Sequence, residues 1–476
     1  MSNIKIKNNF EDSTVKESAK DSISKSVSQS ADSLDLKKEE GFFENVSSEL
    51  LDYASQLGAT QAEFGFSKDI GLSVSVRNQE IETLEYNRDN SCGISVYYGK
   101  QKGNASTSDL SIDALKAAVD AALNIAKFTQ ADEFSGLANK DLMATNSIDL
   151  DLDHPMGVSA ETAKELALEC EQSGLSFSDK ITNSEGASFS SHRNLHYYVN
   201  SHGFSAMQPS TRHSLSCVLL AEGESSKQRD YWYSASRDSN NLESGETIGN
   251  KAASRTIARL NSRKISTQKA KVLFVPEMAR TLIGHFKGAI NGTSLYRESS
   301  FLLGKINQPV FPDFFSLEEK PFIKKGLASA WHDSEGMATK EQLIVEDGVL
   351  NTYLLNSYSA RKLKMSPTGH AGGTHNLFLK DTGQNFNDLV KQLDKGLIVT
   401  EMMGHGVNAI TGDYSRGASG FWVENGEIQH FVEEITIAGN LIDMYSNLIA
   451  VGNDFDYRSS VVTGSWLLPE MMIASS

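Results

Sequence analysis

Residues 411–428, TGDYSRGASGFWVENGEI, constrain this chain more than any other stretch. Gly412, Gly417, Gly420 and Gly426 crowd into a run that also carries Asp413, Arg416, Glu424 and the rings of Tyr414, Phe421 and Trp422. Glycine at that density permits positive φ and close approach of backbones, and the fixed charge is out of place in a helix or a plain strand. The run therefore reads as a recognition or reaction segment, ahead of an apolar strand-like stretch.

The rest of the chain divides around it. Residues 1–38 are rich in Ser, Lys, Asp and Glu and too poor in apolar residues to offset ordering entropy, so a disordered tail is expected. Over residues 39–57, Phe42, Phe43, Val46, Leu50, Leu51, Ala54 and Leu57 recur at helical spacing and stop at Gly58. Strand patterns follow at 62–67, 72–78 and 92–98, with turns expected at 87–90 and 99–103, and then a helix over 112–128 behind Ser111. These make a first α+β domain, 39–130. A second, 147–262, repeats the order with a helix at 160–174, strands at 181–190, 195–200, 214–221 and 229–237, and a helix at 251–260.

The third part, 266–476, opens with a strand at 271–275 and a helix from Pro276 to about Ile290, since proline suits the first helical turn. Hairpins are expected at Asp347-Gly348 and Asn425-Gly426, and strands at 396–401, 419–424 and 427–437. A short helix follows at 441–450. The fold class expected is α+β, a three-part chain with mainly antiparallel or mixed sheets flanked by helices.

Composition limits the functions available. With 61 acidic against 45 basic residues the formal charge is -16, which repels polyphosphate and argues against nucleic-acid binding. The basic cluster between Arg259 and Lys271 reads as a linker. Cys92, Cys170 and Cys217 lack metal or redox spacing and suit a reducing cytoplasm. No apolar run approaches the roughly 18 residues of a membrane span, so a soluble cytoplasmic protein without membrane partners is expected.

Histidines are the obvious chemical candidates. His285 stands alone on its helix, without the second imidazole and adjacent Glu that a zinc-peptidase helix needs. His370 and His375 flank Gly372 and Gly373 in GHAGGTHN, a pattern suited to a groove wall where backbone meets an extended peptide. His405 sits between glycines at a strand end and is expected to face a cleft. Asp149, Asp151 and Asp153 alternate like calcium ligands but lack the Gly and the closing Glu, so a solvated acidic loop is expected. No nucleophile elbow and no phosphate-binding glycine loop occurs.

Several segments together resemble the TldD/PmbA family, formerly called modulators of DNA gyrase, and within it the PmbA (TldE) branch. They are ITNSEG from Ile181, NSHG from Asn200, STRHSLS from Ser210, SYSARKL from Ser357, GHAGGTHN from Gly369, the 411–428 run, and LPEM from Leu468. The resemblance runs from about Ala59 to the end. It implies peptidase biology: TldD-type members carry H-E-x-x-x-H on the third-part helix and a late cysteine, which bind zinc.

Here Gly284, His285 and Ala289 stand at those helix positions, and 451–453 holds no cysteine. The resemblance thus implies a subunit with no catalytic residues, metal or cofactor of its own. It would pair as a heterodimer with a TldD-type partner that holds the zinc and cuts unfolded or extended peptides. In that reading the substrate adds as a β-strand along the third-part sheet. Gly372, Gly373 and the backbone of 417–420 would permit close approach, while His370, His375, His405, Asp413, Tyr414, Arg416 and Glu424 line the groove or face the partner. Two alternatives stay open: a self-sufficient hydrolase around His370, His375 and His405, and an interaction protein acting on gyrase or a toxin–antitoxin pair.

Overall fold

Strict alternation builds the first sheet. In β1 (Gln61–Arg77), Ala62, Phe64, Phe66, Ile70, Leu72, Val74 and Val76 are all buried, so one face is apolar except at Lys68. The structure, a computed structural model, describes residues 34–475 apart from Ser225. The tail expected at 1–38 therefore lies mostly outside the described residues, and its last three positions already belong to a helix, α1 (Leu36–Gln56).

β1 pairs antiparallel with β2 (Glu80–Tyr98), which pairs with β3 (Gln101–Thr107). On its other side β1 pairs with β4 (Ile181–Asn200), followed outward by β5 (Ser205–Glu222) and β6 (Lys227–Ser236). The order is β3-β2-β1-β4-β5-β6, so the two α+β units expected as separate domains share one six-stranded sheet.

Two strand patterns at 62–67 and 72–78 are one strand because Lys68 occupies a core-face position without ending it. Its ammonium pairs with Glu39 of α1 and lies 5.0 Å from the Phe42 ring, so the stem is buried and the charge satisfied. The turn falls at Asn78-Gln79, both at positive φ, and not at 87–90, which lies inside β2 opposite 68–71.

Helices α1, α2 (Ile112–Phe128), α3 (Ala160–Leu175) and α4 (Gly245–Ala258) cover the apolar face. Phe43, Leu50, Phe64, Phe66, Leu115 and Val119 centre one core. Leu72, Val74, Phe189, Cys170, Cys217 and Ile248 centre its neighbour. The acidic loop is not merely solvated, since Asp153 accepts from Arg193 at 2.6 and 2.9 Å.

The remainder surrounds a second core. β7 (Gln268–Phe274) leads into α5 (Pro276–Ala289), with Pro276 in its first turn, and α6 (Gly292–Tyr296) follows. A five-stranded sheet contains β8 (Leu317–Lys320), β9 (Gln342–Glu346), β10 (Val349–Leu350), β11 (Asn376–Leu379) and β16 (Val461–Val462). Helix α7 (Ser357–Leu363) and helix α8 (Phe386–Leu393) are inserted along the way.

The other sheet has β12 (Gly396–Met403), β13 (Asp413–Glu424), β14 (Glu427–Asn440), β15 (Ala450–Val451) and β17 (Trp466–Ser475) with β7, and α9 (Leu441–Ser446) caps β14. Its order is β14-β13-β12-β7-β17-β15, and β17 also pairs back onto β14 through Ile437 and Ile473, so five strands close on themselves. Phe311 stacks on Phe315 at 3.7 Å, and Phe286, Tyr445 and Trp466 complete the aromatic centre.

Named side chains fix the two halves together. Arg361 of α7 donates to the carbonyls of Phe134, Gly136 and Leu137, and Tyr358 donates to Asp132 at 2.6 Å. Arg259, expected to begin a linker, is instead buried at the end of α4, where it pairs with Asp230 and Glu401 and covers the Phe431 ring.

Candidate functional site

Helix α5 is amphipathic by its spacing, with Ala279, Leu282, Ile283, Phe286 and Ala289 buried. Its other side presents Gly284, His285 and Gly288. A Cβ built at Gly284 or Gly288 would meet nothing within 4 Å, so this strip of helix backbone borders open space. His285 packs edge-on against Tyr414 of β13, with ring centroids 6.0 Å apart at 78°.

His285 Nε2 and Arg416 Nε are both buried without a hydrogen-bond partner. Burial and the Arg416 charge push the His285 imidazole below its ordinary value, which keeps it neutral near pH 7. Burial raises the Tyr414 phenol, an effect Arg416 partly offsets. The group is an aromatic and cationic contact, with one imidazole as its only metal donor.

The donor set does not suit a tetrahedral zinc ion, because Gly284 and Ala289 carry no ligating atom. Among the described residues no group of three or more His, Cys, Asp or Glu side chains is placed to hold a metal. The 451–453 segment is fastened as backbone: Val451 pairs with Trp466 of β17, and Asn453 N–H donates to the Gln384 carbonyl.

His370 and His375 do not line an open groove. They turn inward onto Glu319 of β8, which is 1% exposed. His370 Nε2 lies 2.8 Å from Oε2, while the His375 ring and main-chain N–H reach Oε1 at 3.0 and 2.7 Å. Gln342 donates to Oε2 at 2.8 Å, and Thr368 holds the other nitrogen of His370 at 2.8 Å.

Burial alone would raise the Glu319 carboxyl, but the two imidazoles and the His375 N–H outweigh it and hold the group far below the usual carboxylate range. Gly372 and Gly373 make the positive-φ turn between the histidines, and a Cβ at Gly372 would lie 2.2 Å from Ser334 Oγ. The sequence reading missed Glu319. Its signal was alternation in LEEK, which puts Glu319 on the same buried face as Leu317.

The 411–428 run is a β-hairpin in the closed sheet. Its 417–420 backbone pairs with β12 on one side and with β14 on the other, so it cannot accept an added strand. Gly420 serves close approach within the sheet: a Cβ there would lie 1.8 Å from the Ile398 carbonyl oxygen.

Asp413 and Glu424 are the first and last residues of β13. At about 3.3 Å per residue they lie on the order of 35 Å apart and cannot serve one subsite. Asp413 is tied to Thr411 at 2.6 Å and Asn440 at 3.1 Å; Glu424 accepts from Trp422 Nε1 at 3.1 Å. His405 is exposed, on a loop whose Val407 bridges to Tyr414. Of the candidates, His285, Tyr414, Arg416 and the His405 loop therefore come together, while His370, His375, Asp413 and Glu424 go elsewhere.

Comparison with known proteins identifies the family. Domain 1 of the PmbA/TldA metallopeptidases matches residues 62–126, the central domain 153–260 and the C-terminal domain 267–475. The chain belongs to the PmbA/TldD family. The metalloprotease PmbA homolog of Haemophilus influenzae is 49% identical over 443 residues, covering 93% of this chain and 98% of that protein. Metalloprotease PmbA of Escherichia coli O157:H7 is 50% identical, covering 87% and 92%.

Among PmbA/TldD structures, a modulator of DNA gyrase from Bacteroides thetaiotaomicron superposes with a TM-score of 0.86 at 27% identity, covering 91% of this chain and 99% of its own. TldE from Thermococcus kodakarensis, at 18% identity and TM-score 0.78, covers 90% and 100% and shares the fold. Among the described residues of this family member, no helix is long and apolar enough to cross a membrane.

Proposed function

We propose that this PmbA/TldD-family chain is the TldE-type, non-catalytic subunit of a cytoplasmic zinc peptidase that acts on unfolded or extended peptides. One observation carries the reading. At the family's zinc-helix positions α5 offers only His285, which is packed neutral against Tyr414 and bordered by the open backbone at Gly284 and Gly288. A lone imidazole cannot supply tetrahedral coordination, so zinc and the general base come from a TldD-type partner in a heterodimer.

This subunit contributes surface. The open strip on α5 and the exposed His405 loop both adjoin Tyr414 and offer a wall against which a peptide or the partner rests. Substrate does not add as a strand at 417–420, because that backbone is already paired on both sides.

The test is reconstitution. Peptidase activity on an unfolded peptide is expected only when this chain and its TldD-type partner are mixed, with one zinc per heterodimer. Full activity of the partner alone would sink the proposal. The names of the relatives favour a second reading, in which the chain is itself a metalloprotease. Stoichiometric zinc in the isolated chain would establish that reading instead.

A further inference from the structure

The helix-free face of the six-stranded sheet carries a second constellation, remote in sequence from α5. His192 of β4 lies directly across from Gly71 of β1, and Asp69 and Ser73 flank Gly71 on the same face of that strand. His192 Nδ1 is 3.0 Å from Asp69 Oδ1, and its Nε2 is 3.3 Å from Ser73 Oγ. With Nδ1–H donating to the carboxylate, Nε2 is left as the acceptor for the serine hydroxyl. This is the order of groups that activates a serine nucleophile.

Gly71 makes the arrangement possible. A Cβ at position 71 would lie 2.3 Å from His192 Nδ1, so the ring can bridge Asp69 and Ser73 only because that position is bare. A glycine in the middle of a 17-residue strand is unfavourable to the strand itself, and one use of such a position is close approach of another group. The site is open to solvent: the Asp69 and His192 side chains are 30% and 28% exposed. Arg212 of β5 stands in register directly across from His192 and is exposed, which puts a cation beside the Ser73 hydroxyl's partner.

We infer that Ser73, His192 and Asp69 form a metal-independent acyl-transfer site that hydrolyses carboxylic esters. Ser73 Oγ bonds to the ester carbonyl carbon as its proton passes to His192 Nε2. This addition leaves a tetrahedral oxyanion. Collapse breaks the carbon–oxygen bond to the alcohol, which leaves with the proton from His192. Water then attacks the acyl-serine, gives a proton to His192, and releases the acid as the serine hydroxyl is regenerated. Asp69 is a positioning residue that fixes the tautomer and supports the charged ring.

The charges facing His192 come from three strands: Asp69 on β1, Glu85 and Asp89 on β2, and Arg212 on β5. The Asp69 hydrogen bond raises the His192 imidazole, against the effect of its partial burial. The base is neutral above its own pKa, so ester hydrolysis should rise with pH through a midpoint above the ordinary value of about 6.5.

The experiment uses the full chain, purified in the presence of a chelator, with p-nitrophenyl acetate and a fluorophosphonate probe. Hydrolysis above the buffer rate is expected, with the probe on Ser73 by peptide mapping. S73A and H192A should fall to the buffer rate with unchanged thermal melting, and D69N should lose at least 10-fold and move the pH midpoint down. Labelling at another serine, or an S73A variant as active as the parent, overturns the assignment. Absence of both labelling and hydrolysis in the folded parent overturns it equally. None of these outcomes depends on a TldD-type partner.

Discussion

His285 meets Tyr414 edge-on, 6.0 Å between ring centroids, at the point where α5 passes the glycine-rich hairpin. The contact is aromatic packing, and the helix positions around it respond differently to change. Position 284 has room for a side chain, whereas Ala289 is 2% exposed and built into the core. Installing the H-E-x-x-x-H that the resemblance to TldD-type members implies, as G284H, H285E and A289H, should therefore not create a zinc site. The triple variant is expected to lose about 1–3 kcal/mol through overpacking at 289, read by chemical denaturation. Metal analysis should find less than one zinc per chain, and stoichiometric zinc would refute the packing argument.

Glu319 makes a pH prediction with a definite sign. Its folded-state pKa is depressed, so the native carboxylate contributes stability that is fully present above the unfolded value of about 4.3 and is lost as pH falls toward the folded value. Denaturant midpoints should decline below about pH 4.3 in the parent. E319Q should remove that part of the slope and, because the amide nitrogen cannot accept from the N–H groups that the carboxylate serves, cost about 1–3 kcal/mol at pH 7. An E319Q protein as stable as the parent at pH 7 would show that the buried network contributes nothing.

Asp333 has the opposite sign. It is 4% exposed; burial and then Glu335 raise its carboxyl to about 6, although the N–H groups of Glu335, Ala371 and Met337 partly offset this. The folded chain binds this proton more tightly than the unfolded one, so its contribution to stability falls as pH rises from about 3.9 through 6. D333N, which keeps an acceptor oxygen and cannot ionise, should lose less stability, or gain some, at pH 8 compared with pH 5. Equal effects at the two pH values would exclude an ionised, destabilised Asp333.

Sequence pattern revealed these elements unevenly, for physical reasons. Ile112–Phe128 and the Pro276 helix start were readable because local periodicity and a first-turn proline determine them, although the Ser111 side chain makes no capping hydrogen bond. The turns at Asp347-Gly348 and Asn425-Gly426 were readable because those residues tolerate the positive φ they adopt. Asn78-Gln79 carries no glycine, and Lys68 breaks an apolar pattern only until Glu39 and Phe42 are brought beside it. The sheet shared by β1 and β4 depends on a pairing between residues more than a hundred positions apart, which local pattern does not encode. Glu319 was hidden for the same reason: its two histidines come from 51 and 56 residues further along. Glycine density at 411–428 did signal close approach, but the neighbour proved to be the protein's own strand.

Two glycines test that last point directly. Gly420 sits between β12 and β14 with the Ile398 carbonyl oxygen 1.8 Å from where a Cβ would be, while Gly284 has nothing within 4 Å. G420A must push strands apart or break their ladder, and backbone cannot yield as a flexible side chain can. A loss of about 3 kcal/mol or more, seen as insolubility or a strongly lowered melting temperature, is expected. G284A lies on an exposed helical position and should gain up to about 1 kcal/mol, since alanine is the better helix former. If Gly420 instead served peptide binding, G420A would fold like the parent and weaken only substrate affinity. Melting curves of the two purified variants, run beside the parent, distinguish a glycine required by the sheet from one that leaves a surface open.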